Sequence, residues 1–149
     1  GAGYWFGIQR LTVKTMGQRR ISRECAMQIL YVLDVCHLDK QEAEDSFWSG
    51  CEYTEQVVSF TKQLVDGTFF NIKEIDNSII SAAENWELSR IASVDKAILR
   101  FATYELLYTP ETPPSVVINE AIEIAKDFST DESGKFVNGI LDKIKHNRK

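Results

Sequence analysis

The chain has 149 residues, a net charge of −5 and few glycines or prolines. It is long enough to bury a core as one domain, and it has no run of about 18 apolar residues to span a membrane. Taken whole, the negative balance speaks against a nucleic-acid binder, but the distribution is uneven. Residues 10–24 carry five basic side chains against one acidic, residues 131–149 carry five against three, and the remainder holds −11. Such segregation permits a local anion-binding patch beside an acidic body that repels nucleic acid or suits a basic protein partner.

Residues 1–15 show no helical period, and Tyr4-Trp5-Phe6 precedes Gln9, Arg10 and Lys14. That order is the reverse of a signal peptide, so the stretch reads as an appendage, a tag or upstream extension, with Met16 as a plausible start of the domain 16–149. Residues 18–37 predict a helix whose core arc holds Ile21, Cys25, Ala26, Ile29, Leu30, Val32, Leu33 and Cys36. On the opposite side lie Arg20, Met27 and Tyr31, with Arg23 and Asp34 on one edge and Glu24 on the other; Arg19 sits nearer the core boundary. Three arginines in the first turns oppose the helix dipole, so local stability does not explain them. Arginines with an exposed aromatic a turn or more away suit single-stranded RNA, where guanidinium groups meet phosphates and a Tyr ring takes a base. A solvated basic helix end with Tyr31 packed under a loop fits the same spacing. The RNA reading requires that the positive charge be displayed.

Residues 38–53 are polar and acidic, with Phe47, Trp48 and Gly50 suggesting a short helix or ordered loop. Two core helices follow. The first carries Val57, Val58, Thr61, Leu64, Val65, Thr68 and Phe69; the second carries Ile72, Ile75, Ile79, Ala82, Ala83 and Trp86. A connector with Arg90 leads to Ser93, the expected N-cap of a helix over 94–108. That helix is apolar nearly all round except for a strip of Lys96, Arg100 and Thr103, which places it in the middle of a helical domain.

Glu105 interrupts its apolar side between Ile98 and Phe101. An unpaired carboxylate there would cost several kcal/mol, roughly, so it must accept hydrogen bonds from a helix N-terminus or a buried Arg or Lys. A general acid or base is the alternative reading, but spacing places no second carboxylate, His or Cys beside it. Pro110 ends the helix and Pro113-Pro114 opens the next, where missing N–H groups cost least. Val117, Ile118, Ala121, Ile122, Ile124, Ala125 and Phe128 then share one face, and Asn119, Glu120, Glu123, Lys126 and Asp127 the other. Ser133 or Asp131 is the expected cap of a last helix with the stripe Phe136, Val137, Ile140, Leu141 and Ile144. Its outer side is basic, and Lys135 sits near the helix start, where a cation gains nothing locally.

No chemistry is encoded in a recognisable template. The one G-x-G, Gly1-Ala2-Gly3, has Phe6 where G-x-G-x-x-G needs its third glycine, and no G-x-x-x-x-G-K, G-x-S-x-G or H-E-x-x-H is present. Acidic pairs such as Glu42/Glu44 and Glu120/Glu123 fall at surface positions by the helical wheel. Cys25, Cys36 and Cys51, an odd number without C-x-x-C, read as reduced thiols of a cytoplasmic protein, and His37 and His146 offer no metal-ligand spacing. A binding protein without cofactor or metal is expected, not an enzyme.

Four blocks carry a resemblance: Arg19-Arg20-Ile21-Ser22-Arg23-Glu24 with Ala26, Gln28, Leu30 and Tyr31; Val94-Asp95-Lys96-Ala97-Ile98-Leu99-Arg100 with Tyr104-Glu105-Leu106; Ile118-Asn119-Glu120-Ala121-Ile122-Glu123 with Ala125-Lys126; and Lys135-Phe136-Val137-Asn138-Gly139-Ile140-Leu141-Asp142. In this order, over about residues 19–144, the chain resembles the NusB family of bacterial transcription antitermination proteins. The resemblance implies an all-α domain of about six to seven helices in two packed helical subdomains. It also implies binding of boxA-type RNA in nascent ribosomal RNA transcripts, together with the ribosomal protein NusE, within the RNA polymerase antitermination complex.

The family's arginine-rich first helix falls on Arg19, Arg20 and Arg23, with Met27 and Tyr31 on the same side and Lys135 as a second contact. Asp95, as part of the acidic body, is the partner-binding candidate. Ile21 stands where the family's arginine run can carry a further basic residue, and residues 1–15 have no counterpart. About three phosphate contacts on a single strand imply a salt slope near −2 and weak binding by this subunit alone. An acidic helical adaptor without an RNA role, and a detached NusB-like domain of an rRNA cytosine methyltransferase, remain the alternatives. The sequence leaves monomer and homodimer open.

Overall fold

The structure, a computed structural model, describes residues 17–84 and 86–147; the expected appendage and the start at Met16 lie outside these residues. Among the described residues there are seven α-helices and no strand: α1 (Gln18–Cys36), α2 (Lys40–Ser49), α3 (Glu55–Phe70), α4 (Ile72–Ala82), α5 (Ser93–Tyr108), α6 (Pro114–Phe128) and α7 (Asp131–Asn147), with a 3-10 turn at Leu88–Arg90.

Local chemistry sets the boundaries. The Glu42 backbone N–H donates to Asp39 Oδ1 at 2.9 Å and opens α2, and the Val57 N–H donates to Thr54 Oγ1 at 3.2 Å and opens α3. Pro114 occupies the first turn of α6. Two expected caps are corrected. Ser93 is the first helical residue of α5 and makes no cap bond, and α7 is capped by Thr130, whose Oγ1 accepts from the Ser133 N–H at 3.0 Å. A short hydroxyl one residue outside the apolar pattern is hard to choose by sequence when Ser, Thr and Asp stand side by side.

Helix α5 runs through the centre, as its composition predicts. It packs against α1, α3, α4, α6 and α7, and every residue from Ala97 to Leu106 except Arg100 is buried. Helices α1, α2 and α3 form one group and α4 to α7 the other, with α5 at the seam. Its polar strip is used there: Lys96 Nζ lies 3.0 Å from Asp34 of α1, and Arg100 makes paired hydrogen bonds of 2.9 and 3.0 Å to Asp76 of α4. Helix α3 approaches α5 so closely at Gly67 that a Cβ there would lie 2.1 Å from the Tyr104 ring.

Three residues assigned to core stripes lie elsewhere. Cys36 and Phe69 are exposed at the ends of α1 and α3, and Trp86 is 50% exposed beyond the end of α4. The acidic stretch around Trp48 is helix α2, closed by an edge-on and stacked cluster of Phe47, Trp48 and Tyr53 with centroids 4.9 to 6.4 Å apart.

Candidate nucleic-acid interface

The three arginines of α1 have different fates. Arg23 is 2% exposed and donates from Nε and Nη2 to both carboxylate oxygens of Glu105, each at 2.8 Å. Glu105 thus has the buried Arg its position demands, and the pair joins α1 to α5. Arg20 donates to Glu120 of α6 at 2.9 and 2.6 Å, and Glu120 also lies 3.6 Å from Arg23. Arg20 holds the Glu120 carboxyl below its ordinary pKa, chiefly through that hydrogen bond. Together Arg20, Arg23, Glu105 and Glu120 form a neutral ladder across three helices. Arg19 stands apart. It is exposed, makes no ion pair among the described residues, and sets its Cζ 4.1 Å from the centroid of the Phe60 ring.

The outer face expected for α1 is therefore corrected at several positions. Arg23 and Met27 are buried, Met27 fully, and Tyr31 is only partly exposed and packs on the core. Glu24, placed on the outer edge by the wheel, is also buried; burial, Asp127 and Glu120 push its pKa up to about 7 against the opposing pull of Arg20. The cause is shared. A helix covered by α3, α5 and α2 buries more than one stripe, and a wheel drawn for a half-exposed helix underestimates the covered arc. Of the charged display that RNA binding requires, Arg19 is free and Arg20 is partly exposed but occupied.

Asp95 does not belong to an exposed acidic surface. It is 6% exposed in the first turn of α5, and burial raises its pKa against the opposing influence of Ser133 at the first turn of α7. Glu120 and Glu44 are likewise part of ion pairs, Glu44 with Lys40 at 2.7 Å, where solvated positions were expected. Lys135 meets its expectation of an outward cation, with a side chain 77% exposed and 3.5 Å from Glu132.

Two further surface features escaped sequence reasoning. Lys126 of α6 lines the same shallow pocket of about 250 Å³ as Lys135, along with Asn138. Trp86 meets Phe136 edge-on, with centroids 5.6 Å apart, leaving an aromatic edge at the surface. The available signal was an apolar ring in a polar connector. Glu120, which meets α1, and Lys126, which meets α7, both belong to α6 and are separated by six residues, about 9 Å along the helix axis.

A model of the NusB family matches residues 20–146. A transcription antitermination protein NusB of Syntrophus aciditrophicus is 40% identical over 129 residues, covering 87% of this chain and 80% of that protein. A NusB of Geobacter sp. is 44% identical over 137 residues, covering 87% and 94%. Among solved structures, T. maritima NusB superposes with a TM-score of 0.80 at 36% identity, covering 87% of this chain and 92% of that one. A complex of antitermination factors NusB and NusE with double-stranded RNA contains a chain of the same fold, with a TM-score of 0.79 at 26% identity, covering 89% and 98%. The fold, the order of the four blocks and these matches agree, and the chain belongs to the NusB family.

Proposed function

We propose that the chain is a cytoplasmic transcription antitermination factor that binds boxA-type single-stranded RNA of nascent rRNA transcripts jointly with ribosomal protein NusE. It acts by binding alone. The observation that carries this reading is the match to the NusB family over residues 20–146, with the fold of the chain found in the NusB, NusE and RNA complex. The surface that supports it is narrower than the arginine count suggests. Arg19 and Lys135 offer exposed cations, Arg20 is reachable beside Glu120, and Trp86, edge-on to Phe136, leaves an aromatic edge at the surface. Arg23, Met27 and Asp95 support these positions from inside the fold.

With Arg19 unpaired among the described residues, and Arg20 and Lys135 each beside a carboxylate, single-strand binding by this subunit is weak and salt-sensitive. NusE, with its own RNA-facing surface, supplies the rest. Fluorescence anisotropy of a labelled boxA-type RNA, titrated with the chain alone and with NusE added, tests this. Tighter binding with NusE is expected; identical curves for boxA-type and scrambled RNA, with and without NusE, would overturn it. One observation favours the second reading, an acidic adaptor without an RNA role, and that is the internal neutralisation of Arg20 and Arg23. Under it, NusE binds and RNA does not.

A further inference from the structure

A groove of about 650 Å³ opens between the start of α1 and the outer side of α3, within the ~300–1,000 Å³ range of small-molecule sites. Its α3 wall is a stripe at helical spacing, Gln56, Ser59, Phe60 and Gln63, distinct from the apolar stripe that α3 turns to the core. Phe60 is the one aromatic in that polar stripe, and its ring carries the Arg19 guanidinium. The Arg23 Cζ also approaches the ring, at 5.5 Å, but Arg23 is committed to Glu105. Arg19 thus presents a cationic plane that is backed by an aromatic ring, unclaimed by any carboxylate among the described residues, and open to a groove walled by carboxamides and a hydroxyl.

A phosphate is a poor occupant. Glu55 lines the same groove, and one guanidinium beside a carboxylate leaves little net attraction for a dianion. A flat, neutral group with donors and acceptors on its edge fits better: it stacks on the guanidinium, while carboxamides, which both donate and accept, meet its edge. Resting on the RNA-binding reading above, we propose that this groove is a nucleobase subsite, in which one unpaired base of bound RNA stacks on Arg19 against Phe60 and is read by Gln56 and Gln63.

The test is a double-mutant cycle between protein and RNA, run with NusE present. Each position of a boxA-type RNA is made abasic in turn, and affinity is measured for the native chain and for Arg19→Lys, which keeps the charge but loses the planar stacking surface. One abasic position should weaken native binding about tenfold, equivalent to ~1.4 kcal/mol. The same position should weaken the Arg19→Lys chain hardly at all, with the salt slope and melting temperature unchanged. Phe60→Leu should reproduce the loss of coupling. Native RNA binding with no abasic position coupled to Arg19 overturns the subsite and leaves the RNA reading standing, whereas no RNA binding by the native chain overturns both. Free mononucleotides form the second arm: if any of them fills the groove as tightly as the RNA does, the site is one for free nucleotides and the proposal fails.

Discussion

Removing Arg23 should unfold the chain before it affects RNA. The side chain is 2% exposed and gives two 2.8 Å hydrogen bonds to Glu105, which is itself 0% exposed. Arg23→Ala leaves that carboxylate buried between helices with no opposite charge, a change that costs about 3–5 kcal/mol. At about 2–4 °C per kcal/mol for a chain of this size, the melting temperature falls by about 6–20 °C. Replacing both partners, Arg23→Met with Glu105→Leu, removes the desolvation cost as well, and should restore most of the stability or exceed it. Thermal and urea unfolding followed by helical circular dichroism give the melting temperature and stability of the native chain and of both variants, and RNA titration below each melting temperature gives affinity. The salt slope of RNA binding should be unchanged in the double variant. If Arg23→Ala melts within a degree or two of the native chain and instead loses RNA affinity, Arg23 faces the solvent and the ladder is not what holds α1.

Lys135→Ala should flatten the salt slope of single-strand binding by about 0.7 while leaving the melting temperature in place, as read by anisotropy at several salt concentrations; an unchanged slope would remove this side chain from the interface. Glu24→Gln addresses pH. The folded pKa of Glu24 is raised from 4.5 to about 7, so its contribution to stability is fully present below 4.5 and is lost as pH rises through 7. The variant should therefore be more stable than the native chain at pH 8, by up to about 3 kcal/mol, and the gain should vanish near pH 4.5. A gain equal at both pH values in urea titrations would contradict that assignment. Gly67→Ala forces a methyl against the Tyr104 ring and should cost about 1–3 kcal/mol in the same assay, with Tyr104→Leu relieving it.

The central helix could be read from sequence because α5 is nearly apolar all round, and Glu105 stood out on it as the residue that needed a partner. The identity of that partner could not be read. Arg23 looked like a surface residue because a helical wheel knows only its own helix, while the partner lay 82 positions further along. The same holds for Arg20 with Glu120, for Asp34 with Lys96, and for the burial of Met27 and Glu24: each depends on which helix covers which face. Trp86 failed for a different reason. It continues the apolar repeat of α4 in number but falls past the helix end, where the period no longer assigns a direction. The outward direction of Lys135 was legible because it lies off the apolar stripe of α7, whereas its neighbour Glu132, 3.5 Å away and one turn earlier, gives it a local partner that was not read.

Arg20 and Arg23 are adjacent on the ladder but differ in what they leave behind. If a phosphate draws Arg20 away from Glu120, that carboxylate still has Arg23 at 3.6 Å and is itself partly exposed, so the exchange trades one charge-assisted pair for another. If Arg23 were drawn away, Glu105 would have neither a second cation nor water. Nucleic acid can therefore recruit Arg20 at small cost and Arg23 only by opening the seam between α1 and α5. The arginine run divides accordingly: Arg19 is available at all times, Arg20 by exchange, and Arg23 is the strut that keeps the other two at the surface.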